Sequence, residues 1–97
     1  MDVAYYLQGI EFEWDSEKAA TNEDKHGVRF TEAIEVFFDP LSQTGEASVG
    51  EEPRDYLIGY SFSLRLFLVV YTMRDTRTRI TSARPATRTE RKSYENR

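Results

Sequence analysis

The feature that most constrains the fold is residues 66–73 (LFLVVYTM), which are apolar on both faces of a strand. A strand of this kind must be covered from both sides, so we predict that it lies in the interior of a sheet. Residues 55–62 before it alternate in hydrophobicity, and residues 79–84 follow it after a short turn over residues 75–78. Since short turns join neighbouring antiparallel strands, the three segments predict an antiparallel meander. The apolar face of the first strand would carry Tyr56, Ile58, Tyr60 and Phe62.

The segment after the meander, residues 80–94 (ITSARPATRTERKSY), predicts a corner between a strand and a helix. Pro85 disfavours helical backbone at Arg84, whereas Thr87 and Glu90 form the T-x-x-E capping box of a helix N-terminus. We therefore expect a strand to about Arg84, a short turn and a helix from Thr87. Along the strand, alternation would place Ile80, Ser82 and Arg84 on one face and Arg79, Thr81 and Ala83 on the other.

The N-terminal half begins with a predicted strand over residues 10–15, where apolar and acidic side chains alternate in IEFEWD. Asp15 or Ser16 can then cap a helix that runs to His26 and ends at Gly27, because glycine readily adopts the left-handed backbone of a helix end. Three residues at helical spacing would share one face of this helix: Ala19, Asn22 and His26.

A second helix is predicted from a cap at Thr31 to the Asp39-Pro40 pair, which would end it. Its buried stripe would consist of Ala33, Ile34, Phe37 and Phe38. Residues 41–55 include the acidic stretch EASVGEEPRD, and they predict a short strand followed by a solvated loop.

These elements predict one small α+β domain over residues 10–97, an antiparallel β-sheet packed with two N-terminal helices and a C-terminal helix. Residues 1–9 are set apart as an N-terminal extension, with order or disorder left open. The chain has no cysteine, which excludes disulfides, and no apolar run near the roughly 18 residues that span a bilayer. Its start has no basic segment typical of a secretory signal. We expect a cytoplasmic protein that does not bind membranes.

Charge is divided unevenly along the chain, although its total is −4. Residues 1–73 hold 5 basic and 14 acidic side chains, whereas residues 74–97 hold 8 basic and 3 acidic ones. Such a division indicates either a local surface for a polyanion or an acidic body that neutralises its own C-terminal segment.

Four stretches in order resemble the BrnT family: FEWDSEKAATNEDKHGVRFTEAIEVFFDP, YLIGYS, LVVYTMRD and RITSARPATRTERKSYE. The resemblance covers about residues 11–95, and the family usually begins near FEWD, after residues 1–9. It implies a toxin of a type II toxin–antitoxin pair with a RelE-like fold, a ribonuclease that inhibits translation. It also implies a BrnA-like ribbon-helix-helix antitoxin, through which the pair would contact DNA and repress its own promoter.

RNA cleavage in such a fold needs no metal, because the ribose 2'-hydroxyl attacks the adjacent phosphate and the enzyme supplies cations and a proton carrier. Arg84 and Arg88, on either side of the predicted turn, are our first candidates for the phosphate, although Arg84 could instead pair with Glu90. His26 is a candidate general acid or base, or alternatively a helix-end residue that satisfies carbonyl groups. Lys25 beside it could hold a phosphate.

Other basic and aromatic residues are candidates for RNA contacts. Arg65 lies at the predicted hairpin tip and Arg74 at the end of the central strand, while Tyr94 could stack on a base or anchor the C-terminus in the core. One histidine and no cysteine argue against a zinc site, and we predict no cofactor. The main alternative is a non-catalytic protein whose basic edge binds the antitoxin, and a free-standing RNA-binding module is another.

Overall fold

In the computed structural model, which describes residues 1–96, the chain forms a six-stranded mixed sheet and three α-helices. The strands are β1 (Asp2–Leu7), β2 (Ile10–Asp15), β3 (Gln43–Glu46), β4 (Asp55–Tyr60), β5 (Leu66–Arg74) and β6 (Arg77–Pro85). The helices are α1 (Ser16–His26), α2 (Phe30–Ala33) and α3 (Arg88–Glu95), and a 3-10 helix (Ile34–Phe38) follows α2. The strand order is β1-β2-β6-β5-β4-β3, so the α+β class is confirmed.

The meander predicted from the sequence is confirmed, because β4, β5 and β6 pair antiparallel in succession and β5 lies inside the sheet. The expectation of a wholly antiparallel sheet is wrong. Strand β2 pairs with β6 in parallel, with Phe12 opposite Thr78 and Glu13 opposite Arg79. These partners are far apart in sequence and are brought together by the long connection through the helices, which local alternation does not reveal.

The first residues form a strand, β1. Strand β1 pairs antiparallel with β2, from Asp2 opposite Asp15 to Leu7 opposite Ile10. The two-residue loop between them has positive φ at Gln8 (48°) and Gly9 (83°), the backbone that tight hairpins favour.

The sheet is covered on both faces, as the apolar β5 requires. The larger core lies under α1, α2 and the 3-10 helix and consists of Phe12, Trp14, Val28, Phe30, Ala33, Ile34, Val36, Leu57, Phe67, Val69, Ile80 and Ala83. The smaller core lies on the opposite face against α3, where Ile58, Leu66 and Leu68 contact Tyr94. Successive residues of β5 alternate between the two cores, so both halves depend on this strand.

The second helix differs from its prediction at its start and in its second half. It begins at Phe30 with Arg29 in the capping position, and no side chain caps it, so Thr31 is not the cap. After Ala33 the backbone tightens into the 3-10 helix, which ends at Asp39 as predicted. The Asp39 carboxylate stabilises this end by accepting hydrogen bonds from the Leu41 and Tyr60 backbone NH groups (2.9 and 2.8 Å).

A β-bulge in β6 changes which residues share a face. Val70 pairs with Ser82 and Tyr71 with Ile80, so no residue of β5 lies opposite Thr81 in the register. As a result Ile80 and Ala83 both reach the larger core. The predicted alternation is therefore wrong across this position. Arg79, Ser82 and Arg84 lie together on the face of the smaller core, opposite Thr72, Val70 and Leu68.

Candidate active site

The predicted corner between strand and helix is confirmed. Thr87 is the N-cap of α3, and its hydroxyl accepts a hydrogen bond from the Glu90 backbone NH at 3.1 Å. The Glu90 carboxylate in turn accepts from the Thr87 backbone NH at 2.8 Å, which completes the capping box. The capping box fixes the start of α3 at Thr87, close to Arg84 at the end of β6.

Arg84 forms the ion pair with Glu90 that the sequence offered as an alternative. Its two terminal nitrogens donate to Glu90 Oε1 and Oε2 at 2.7 and 2.8 Å, and one also donates to the Pro85 carbonyl at 3.3 Å. The hydrogen bond from Arg84 is the main reason that the pKa of Glu90 falls from 4.5 to about 2. A guanidinium has five N–H donors, so these three bonds leave two donors that no described residue occupies.

An open groove of about 480 Å³ lies beside Arg84 on the face of the smaller core. Its apolar lining consists of Ala47, Tyr56, Ile58, Leu68 and Val70. Its polar lining consists of Ser82, Arg84, Thr89, Glu90 and Ser93. We call this the α3 groove. It combines a cation at the rim with an apolar floor.

A second groove, of about 510 Å³, lies between α1 and β6 and contains both Lys25 and His26. We call it the α1 groove. Thr81 and Ser82 form its β6 wall, and Ser82 also lines the α3 groove. The structure thus places Lys25 and His26 in a groove that shares Ser82 with the groove of Arg84. Lys25 is exposed and His26 is half-buried.

Asn22 fixes α1 in this position. Its buried side-chain amide donates to the Ala83 carbonyl at 2.8 Å and accepts from the Ala83 backbone NH at 3.0 Å. It thereby replaces the neighbouring strand that this part of β6 lacks. The same amide donates to the Val28 carbonyl at 3.1 Å. The sequence placed Asn22 on the face of His26, but its partner lies 61 residues away and could not be found from spacing.

The other predicted site residues have different surroundings. Arg88 is exposed, lines neither groove and has no ion pair with a described residue. Arg65 donates to Glu32 at 2.9 Å and to the Gly27 carbonyl at 3.4 Å, so it lies beside the end of α1. Its guanidinium also lies 4.8 Å from the centre of the Phe67 ring.

Arg74 and Tyr94 both contact acidic groups. Arg74 is exposed and lies 3.7 Å from Glu13. Tyr94 is buried, its hydroxyl donates to Asp39, and its ring meets that of Tyr60 edge-on at 5.3 Å. The contacts of Tyr94 are those of an anchor for α3, the alternative that the sequence left open.

Several C-terminal arginines are engaged in a cluster at the other end of β6. Glu13, almost completely buried, pairs with Arg79, which also donates to Asp2 at 3.1 Å. The bond with Asp2 is the main cause that raises the pKa of Arg79 above its ordinary value. Arg77 pairs with Glu11. The basic character of residues 74–97 is therefore partly neutralised by acids from β1 and β2.

A family model described as "Ribonuclease toxin, BrnT, of type II toxin-antitoxin system" matches residues 14–90, most of the chain. The chain belongs to the BrnT family. The 1.1 Å crystal structure of the Brucella abortus ribonuclease toxin BrnT is also similar, with 25% sequence identity and a TM-score of 0.60. That similarity covers 77% of this chain and 94% of the Brucella chain. A comparison with curated proteins found no match.

The chain is therefore a member of a ribonuclease toxin family of type II toxin–antitoxin systems, and this class implies an antitoxin partner. The matched residues include Lys25 and His26 of the α1 groove and Arg84 and Glu90 of the α3 groove. Residues 1–13, with β1, precede the match. No helix within residues 1–96 is long and apolar enough to cross a membrane.

Proposed function

We propose that this BrnT-family chain is a metal-independent endoribonuclease that cleaves RNA lying along β6, between the end of α1 and the Arg84 corner. The observation that carries the proposal is the position of Ser82, which lines both the groove of Lys25 and His26 and the groove of Arg84. A phosphate near Ser82 would have a proton carrier on one side and a guanidinium on the other.

The chemistry requires the ribose 2'-oxygen to attack phosphorus while the bond to the 5'-oxygen breaks, which leaves a 2',3'-cyclic phosphate and a 5'-hydroxyl. His26 would take the proton of the attacking hydroxyl. The two remaining donors of Arg84 would bind the phosphate oxygens as negative charge accumulates. Lys25 would stabilise the leaving 5'-oxygen, which takes a proton from water to become the 5'-hydroxyl. Arg88, Arg65 and Arg74 would contact the RNA on either side.

The wider role follows from the family. Cleavage of RNA would inhibit translation in the cytoplasm and arrest growth, and a BrnA-like ribbon-helix-helix antitoxin would neutralise the toxin and bind DNA for the pair. A RelE-like fold belongs to the same proposal. The similarity to the Brucella abortus BrnT toxin supports this role.

The test is cleavage of RNA by the purified chain in the presence of EDTA. We expect Arg84→Ala to lower the rate about 100- to 1000-fold and His26→Ala about 100- to 10,000-fold. Arg29→Ala is a matched control, because Arg29 is exposed, pairs with Glu23 and lies in neither groove. Folded wild-type protein that leaves RNA intact, or that cleaves it equally well without Arg84, would contradict the proposal.

A second candidate function is a non-catalytic role in binding the antitoxin. The bidentate pair between Arg84 and Glu90 favours it, because an arginine so engaged can serve the corner alone. In that case the wild-type chain would bind its antitoxin tightly, and its induction without the antitoxin would not arrest growth.

A further inference from the structure

The α3 groove has an apolar surface that binding a phosphate would not use. Ile58 and Leu68 are buried beneath it, and Val70 completes an aliphatic floor. Arg84 forms part of the same wall, so a phosphate at its two remaining donors would direct the adjoining nucleoside over this floor. The reaction proposed above uses only the rim of the groove and assigns no role to its floor.

One aromatic ring in this groove occupies space that is open only because a neighbouring residue is glycine. Tyr56 on β4 lies directly opposite Gly45 on the edge strand β3. A Cβ atom on residue 45 would come within 2.4 Å of the Tyr56 Cε2, Cζ and Oη atoms. The ring therefore lies across the Gly45 backbone, where only glycine leaves room for it, and it also lines the groove.

The rim is hydroxyl-rich. Ser82, Thr89 and Ser93 surround the floor together with Arg84 and Glu90. An aliphatic side chain filling the groove would cover these hydroxyls without bonding them, which is costly. A flat ligand with apolar faces and polar edges matches both the floor and the rim. Nucleobases have this character, and proteins bind single-stranded RNA by stacking them on aromatic side chains.

We propose that the α3 groove binds the nucleobase next to the scissile phosphate, with Tyr56 as its stacking partner and the rim hydroxyls contacting its edge. This inference rests on the proposed RNA cleavage at Arg84. Tyr56 would then contribute to the choice of cleavage site. Gly45 would contribute indirectly, because it leaves room for the Tyr56 ring.

The test combines a change in the protein with a change in the RNA. We would measure kcat/KM on an oligonucleotide with one cleavage site, and on two versions that lack the base on either side of that site. Loss of the base in the groove should lower wild-type kcat/KM roughly 5- to 150-fold. Tyr56→Leu should cause a similar loss on the intact RNA and less than about twofold further loss on the RNA without that base, as expected for groups in contact.

Two further variants act as controls. Tyr6→Leu removes a tyrosine that is 64% exposed on β1, and it should leave every rate unchanged. Gly45→Ala should reproduce the loss seen in Tyr56→Leu, because the added Cβ displaces the ring. Circular dichroism of each variant establishes that the fold is retained before the rates are compared.

Independent, multiplicative losses from Tyr56→Leu and base removal would overturn the inference. If the wild type cleaves no RNA, the proposed function fails separately. The groove is then tested by binding of 2'-O-methyl oligonucleotides with and without the base, where equal affinities overturn the inference. If Tyr56→Leu leaves RNA cleavage and oligonucleotide binding unchanged but weakens antitoxin binding, the groove binds a protein partner instead.

Discussion

Two arginine–glutamate pairs lie on the same face of β6, and they differ in how far their side chains are exposed to solvent. In the first pair the side chains of Arg79 and Glu13 are 16% and 6% exposed, and Arg79 also binds Asp2. In the second pair the side chains of Arg84 and Glu90 are 35% and 23% exposed and border the α3 groove. The first pair, with Asp2, joins three strands, whereas the second lies beside a groove and leaves two guanidinium donors unbound among the described residues.

The comparison shows that positive charge in a sequence does not by itself locate a binding surface. Residues 74–97 are basic, yet Arg77 and Arg79 are occupied by acids from β1 and β2. What distinguishes Arg84 is a bidentate partner that orients the guanidinium without using all its donors. Four predictions test whether the two pairs differ in this way.

The largest expected effect is on stability, from Arg79→Ala. The substitution leaves Glu13 buried, with Arg74 and Arg77 only at 3.7 Å. Removing one partner of a buried pair commonly costs about 3–5 kcal/mol, so we expect a loss near 3 kcal/mol in the free energy of unfolding, measured by urea denaturation. The exposed Arg74→Ala is the control. A loss below about 1 kcal/mol would mean that this pair is no more structural than a surface pair.

Arg84→Ala should have a large effect on RNA cleavage and a small effect on stability. We expect RNA cleavage to fall about 100- to 1000-fold, while the free energy of unfolding changes by about 1 kcal/mol or less because the pair is partly exposed. Arg84→Lys keeps the charge but loses the planar fork, and its rate should lie between those of the wild type and Arg84→Ala. If Arg84→Ala unfolds the chain as readily as Arg79→Ala, the distinction between the pairs disappears.

Glu90→Gln should alter the pH dependence of stability. The pKa of Glu90 is lowered to about 2 in the folded chain, so its stabilisation is present above pH 4.5 and is lost as the pH falls toward 2. With allowance for partial exposure, we expect wild-type protein to lose about 1–2 kcal/mol more than the variant between pH 5 and pH 2. Parallel stability curves for the two proteins over this range would contradict the ion pair.

The smallest effect concerns the cap that supports the second pair. Thr87→Ala removes the hydroxyl that accepts from Glu90 and should lower stability by about 1 kcal/mol. Thr31→Ala is a matched control, since Thr31 is exposed and caps no helix, and it should have little effect. Thermal unfolding followed by circular dichroism compares the two. Equal shifts would show that the capping box does not stabilise the corner.

Local patterns in the sequence predicted the elements whose partners are close along the chain. The capping box of Thr87 and Glu90, the Asp15 cap of α1 and its end at Gly27 (φ 68°) are all confirmed. So are the meander and the double-sided burial of β5. Each depends on residues a few positions apart or on a strand's own composition, and such signals are present in the sequence itself.

Features that depend on distant partners could not be predicted. The parallel pairing of Phe12 with Thr78 and the amide bridge from Asn22 to Ala83 join segments that share no local pattern. Of the predicted site residues, Lys25, His26 and Arg84 were chosen by residue type, and only the fold reveals that Ser82 lines the grooves of all three. Tyr94 is an aromatic residue in a polar helix, and its burial follows from contacts with Asp39 and Tyr60.

The bulge at Thr81 has a consequence for aligning relatives of this chain. Because no residue of β5 lies opposite Thr81, a chain without it could pair Ile80, Ser82, Ala83 and Arg84 as they pair now. A relative with a regular strand would therefore keep its arginine at the groove with one residue fewer between the isoleucine and the arginine. The number of residues between the isoleucine and the arginine can therefore differ by one among relatives. An alignment that forbids a gap there would match the groove arginine to a residue of the core.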